Sequence, residues 1–252
     1  MHTSLAETTP SSIAQPGASA MRSAEPARMD LYLSIHKALR SFMSDTLVRV
    51  GRIDVADAAD RDAALAQLDR LLELCLGHLR HENAFVHTAI EARQPAGSRR
   101  VAEEHVEHVD TIAELQAEVH ALRSAQADDA ERLALRLYRH LALFVAENFQ
   151  HMHVEETTHN ALLWQHYSDR ELGELHARIL ASISPEEHAL VARWMLPAST
   201  PAERAQIVGA AKSQMPAEAL SGMLATIRPH IDDAGWAKLA TAAGVDPALG
   251  RA

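Results

Sequence analysis

Residues 68–89 read LDRLLELCLGHLRHENAFVHTA, and Leu68, Leu71, Leu72, Cys75, His78, Glu82, Phe85 and Ala89 fall mostly three or four residues apart. That spacing predicts one face of an α-helix. The face is apolar except for His78 and Glu82. A histidine followed four residues later by a glutamate puts both side chains on one side of a helix, one turn apart. Such a pair can hold one metal ion, or its carboxylate can bridge two.

The same arrangement returns in 151–155, HMHVE, where His151 and Glu155 continue a fourth helical pattern that runs through Leu133, Leu137, Leu141, Phe144 and Asn148 toward Thr158. A first pattern starts near Asp30 and carries Tyr32, His36, Leu39, Met43 and Leu47 to Gly51. A third carries Val101, His105, His108, Ile112, Leu115, Val119 and Leu122. Polar or Pro/Gly-containing stretches separate the four, which predicts helices joined by short connections. Short connections force neighbours antiparallel, so the expected fold is all-α: an up-down-up-down four-helix bundle over 29–165. In that arrangement the starts of the first and third helices lie beside the ends of the second and fourth. His36, His78, Glu82, His105, His108, His151 and Glu155 then converge on one layer at one end of the bundle.

The HxxxE spacing alone is weak, because a third match occurs at His87 and Glu91. Placement makes it specific. Burying several imidazoles and two carboxylates at one level costs several kcal/mol per unpaired charge, roughly, and a bound cation offsets that cost. These seven residues are therefore the expected metal ligands, with His105 and His108 left as alternatives on the third helix. His81 and His153 point about 100° or more away from a neighbouring ligand and are expected to lie outside the centre. His87 and His159 follow the two motifs and are candidates for the mouth of the site.

In these residues the chain resembles the hemerythrin or HHE cation-binding family across roughly 30–165. The resemblance rests on His36, on His78 with Glu82, on Glu104-His105-Val106-Glu107-His108, and on His151 with Glu155. It implies two non-haem iron ions, Fe2+ or Fe3+, held terminally by histidines and bridged by Glu82 and Glu155, with an oxo or hydroxo bridge between them. It also implies binding or sensing of oxygen or nitric oxide. The alternative is a stress-response enzyme that reduces nitric oxide or peroxide, or repairs iron–sulfur centres. Oxygen carriers of the family have HxxxH on the third helix and HxxxxD on the fourth. This chain has Val101 or Glu104 where the third-helix partner would be, and Glu155 at +4 with Glu156 at +5 on the fourth.

Composition narrows the field around this layer. The 252 residues are 47% hydrophobic but only 4% aromatic, which favours helix over strand. A net charge of −10 disfavours nucleic acid as a partner. The single cysteine, Cys75, excludes an internal disulfide and Cys-rich metal sites, and points to a reducing compartment. No apolar run is long enough to span a membrane, so a cytoplasmic location is expected. Residues 1–28, rich in Ser, Thr, Ala and Pro, are expected to be a disordered tail. Ser184-Pro185-Glu186-Glu187, Thr200-Pro201-Ala202-Glu203 and Met215-Pro216-Ala217-Glu218 announce helix starts in a separate all-helical region over 168–245, a candidate homodimer surface.

Overall fold

A computed structural model describes residues 28–248 of the chain, and every regular element among them is helical. The tail expected over 1–28 lies outside the described residues except for Arg28. That residue is held by Asp169 and by the carbonyls of Trp164 and Tyr167.

Helix α1 spans Leu33–Gly51, and α2 spans Ala58–His81. A π turn, Glu82–His87, carries α2 directly into α3, Thr88–Arg93. After the Pro95 loop come α4, Arg99–Arg123, and α5, Ala127–Val154, and a second π turn, Glu155–His159, carries α5 into α6, Asn160–His166. The remaining helices are α7 (Asp169–Ser182), α8 (Pro185–Ala198), α9 (Pro201–Gln214), α10 (Ala217–Ile227) and α11 (Asp233–Ala243).

The helix starts follow the local chemistry of the sequence. Asp30 accepts bonds from the backbone N–H groups of Tyr32 and Leu33 just ahead of α1, and Asp57 caps α2. Capping boxes open α7 at Ser168/Glu171 and α9 at Thr200/Glu203, while Ser184 with Pro185 opens α8. Each such cap satisfies backbone donors that the first helical turn leaves free, worth about 1 kcal/mol. Pro216, whose ring offers no acceptor, precedes α10 without a side-chain cap.

Helix α1 packs against α2, α5 and α8, α2 against α4, and α4 against α5. Their shared core includes Phe42, Met43, Leu65, Leu68, Leu72, Ile112, Leu115, Val119, Leu137, Leu141 and Phe144. Burying each such side chain contributes about 1.5–3 kcal/mol. Arg49 near the end of α1 meets Asp60 near the start of α2, and His140 of α5 meets Glu118 of α4. The C-terminal helices have a core of their own, with Leu196, Val208, Leu224, Ile227, Trp236 and Leu239. They also dock on the first helix: Trp194 of α8 stacks on Phe42 at 4.2 Å, and Lys37 pairs with Glu203 at 2.7 Å. No helix among the described residues is long and apolar enough to cross a membrane.

Candidate metal centre

The apolar stripes of α1, α2, α4 and α5 all turn polar at the same level. His36 is fully buried in α1, and His78 occupies the last turn of α2. Glu82 and Glu155 begin the two π turns, at 3% and 0% exposure, while α4 and α5 bring in His105 and His151. These six residues form two overlapping groups. In His36, His78, Glu82 and Glu155, and again in Glu82, His105, His151 and Glu155, one ligand atom from each residue lies within 4.8 Å of the others. Either group could hold a metal ion.

The two glutamates belong to both groups, and each divides its oxygens between them. Glu82 turns Oε1 toward His78 (3.1 Å) and His36 (3.8 Å), and Oε2 toward His105 (3.5 Å). Glu155 turns Oε2 toward His36 (3.4 Å), and Oε1 toward His151 (3.5 Å) and His105 (3.7 Å). All four oxygens, with Nε2 of His36 and of His78, are buried without a hydrogen-bond partner. Leaving a buried polar atom unsatisfied costs about 1–3 kcal/mol, more when it is charged. A cation in either group would satisfy several of these atoms at once.

The outward nitrogens are engaged instead. His36 Nδ1 bonds to Glu156 at 3.0 Å, His151 Nδ1 to Glu104 at 2.8 Å, and His105 Nδ1 to the Asn83 side-chain oxygen at 2.9 Å. An imidazole that donates Nδ1–H to an outer acceptor presents the Nε2 lone pair inward, as metal-binding histidines do. Arg40 braces Glu156, and Arg100 braces Glu104 at 2.9 Å. The inner nitrogens of His105 and His151 lie 3.1 Å apart.

Protons meet much of the charge in this layer. Burial would lower His36, but Glu155, Glu156 and Glu82 outweigh it and raise the imidazole to about 10. Burial is likewise overcome at His151, which Glu155 and Glu104 raise to about 9. The carboxyl of Glu82 is pushed up by burial and by the charge of Glu155. Burial opposes ionisation of Glu155 too, yet the imidazoles of His105, His151 and His36 close around it hold it well below the usual carboxylate range. His78, desolvated and beside His36, is lowered.

Of the two histidines open on α4, His105 joins a group and His108 does not. His108 is buried edge-on to His151 and Phe144, with Nδ1 unpartnered. His81 faces Glu187 of α8 at 3.6 Å, and His153 is exposed.

His87 and His159, expected at the mouth, are instead interior, at 5% and 1% exposure. The cause is local at His87. In an uninterrupted α-helix a residue five positions after Glu82 falls on a different face, but a π turn closes i to i+5 and widens the turn by one residue. His87 therefore returns to the side of Glu82, stacked on His105 at 4.8 Å. His159, the last residue of the second π turn, lies side-on to His87 and bonds through Nδ1 to the buried Tyr32 hydroxyl at 3.1 Å. Burial lowers both imidazoles, His87 to about 4. With Glu155 they make a third group of ligand atoms within 4.8 Å of one another.

A cavity of about 180 Å³, lined by Asn83, Ala102, His105, Val106, Val109 and Asp110, opens beside His105. No protein-family model matches the chain, and no curated protein or solved structure matches it significantly.

Proposed function

We propose that this chain is a hemerythrin-like protein in which α1, α2–α3, α4 and α5–α6 form an antiparallel up-down-up-down bundle around two non-haem irons. His36 and His78 would hold one iron and His105 and His151 the other, with Glu82 and Glu155 bridging them. The division of each glutamate's two oxygens between the two histidine pairs carries this reading. A carboxylate whose two oxygens face two different histidine pairs is placed to bridge two cations.

Mixed imidazole and carboxylate donors suit iron, manganese and zinc. The hemerythrin resemblance selects iron. An iron pair supplies redox chemistry toward dioxygen or nitric oxide. The chain's own residues do the rest. Glu156, Glu104 and Asn83 orient the ligand imidazoles, and the buried leucines beneath the layer keep bulk water out. Each group offers four protein donors, fewer than the six of an octahedral ion, which leaves room for a small ligand. The cavity beside His105, about 180 Å³, is large enough to admit a diatomic molecule next to a ligand imidazole. Binding or sensing of oxygen or nitric oxide is the function these features support best.

Metal analysis of the purified protein tests the reading. About two irons per chain are expected, lost when His78 or Glu155 is replaced by Ala. A wild-type protein that is stable and takes up no iron overturns it. Stopped-flow spectra of the reduced protein then separate reversible bands on oxygen exposure from the irreversible oxidation, with turnover of nitric oxide or peroxide, of an enzyme.

A further inference from the structure

Two histidines remain that the iron pair does not use. His87 and His159 are as deeply buried as the ligands themselves, and the Nε2 atom of each lacks a hydrogen-bond partner. Stacking explains their rings but not those nitrogens, because a packed imidazole still carries a polar atom that needs a partner. His159 also shares the feature that marks His36, His105 and His151: its outward Nδ1 is engaged, here by the Tyr32 hydroxyl, so that Nε2 faces inward. One ring nitrogen each of His87 and His159 lies with an oxygen of Glu155 in a set of atoms all within 4.8 Å of one another, small enough to surround an ion.

We propose that His87, His159 and Glu155 form a third cation position beside the pair, taken by a divalent transition ion such as Fe2+, Co2+ or Zn2+. The proposal rests on the iron-pair reading in one respect, since Glu155 is shared with that pair. Two imidazoles and part of one carboxylate disfavour Mg2+ and Ca2+, which take oxygen ligands. Sharing also ranks the three positions. Glu155 has only two oxygens and faces three groups, so one oxygen must serve two cations when all are filled. The third position has no other anionic donor to itself. It is therefore the weakest and the last to fill.

Equilibrium dialysis of the metal-free full-length chain against Co2+, read by metal analysis and by the visible bands of the bound ion, tests this. The wild type is expected to take up the pair and then a further, weaker equivalent with its own spectrum. The double variant His87→Gln/His159→Gln should keep the pair and lose only the last step. Tyr32→Phe, which removes the support of His159, should weaken that step by about 10-fold or more and leave the first two unchanged.

Uptake that stops at the pair in the wild type overturns the third position and leaves the pair standing. A further equivalent retained in the double variant overturns it as well. Uptake abolished by His87→Gln/His159→Gln but untouched by His78→Ala would reject the pair and keep the third position, and no uptake in any form rejects both. Circular dichroism checks that the double variant is folded. If it is not, Tyr32→Phe decides alone, and an unchanged last step overturns the proposal.

Discussion

The same four long helices enclose two different interiors. Toward one end Val50, Leu65, Leu68, Val119, Leu122 and Leu137 meet as hydrocarbon with almost no exposure. Toward the other, His36, Glu82, His105, His151 and Glu155 are buried as completely, and many of their polar atoms have no partner. Burial alone therefore does not distinguish the ends. The apolar end recovers free energy from leaving water, whereas the polar end gives it up unless a cation or a proton compensates. Stability is concentrated in one half, and the groups that could hold a metal ion lie in the other.

The largest expected effect lies in the apolar half. Leu68→Ala should cost about 2–5 kcal/mol, because the neighbouring side chains cannot close the cavity it leaves. Denaturant unfolding of the metal-free and iron-loaded protein should show the same loss in both. A loss confined to the loaded protein would break the division between the two ends.

In the polar half, affinity for metal should depend steeply on pH. His36, near 10, and His151, near 9, carry protons at neutral pH in the metal-free protein. A cation must displace them, so binding releases protons and strengthens as pH rises, by about 10-fold per pH unit for each proton released. Calorimetry in two buffers of different ionisation enthalpy counts the protons. Affinity that is flat between pH 6 and 8, roughly the range below both values, would mean that these imidazoles do not ligate.

A smaller effect sharpens the boundary of the site. Glu104→Gln keeps a side chain of the same size but weakens the hold on His151, and should lower metal affinity by about 10- to 100-fold. The unfolding midpoint of the metal-free protein should move little, as Glu104 is partly exposed on the rim. A competition titration with a coloured chelator measures the first, and a thermal melt the second.

Much of this was legible in the chain. His36, His78, Glu82, His151 and Glu155 sit on the apolar stripes of their own helices, so period places each on an inward face, and the short connections gave the expectation of one common level. The choice between His105 and His108 was not legible, because residues three apart share a face and only the rotation of α4 against α5 separates them. Asn83 escaped, and Glu104 and Glu156 were read only at motif positions of their own helices, for a related reason: each supports a histidine on another helix, and no intrahelical spacing records that contact. His87 was visible as a histidine but not as an inward one, since no residue preference announces a π turn. In the C-terminal region the caps were plain from Ser184 and Thr200. The docking of Trp194 on Phe42 was not, because an amphipathic helix does not name what it will cover.

The π turn at Glu82 has a consequence for how the chain can change in length. It is a helix accommodating one residue more than an α-helix needs. Deleting a single residue such as Ala84 would let the segment relax to α geometry, with His87 then four residues after Glu82 and still on its face. Ile90, buried with Leu163 and Leu172, would then stand seven residues after Glu82 and keep its inward face as well. In an uninterrupted helix such as α4 the loss of one residue would turn everything beyond it by about 100°; here the surplus residue absorbs the edit and the inward faces keep their phase.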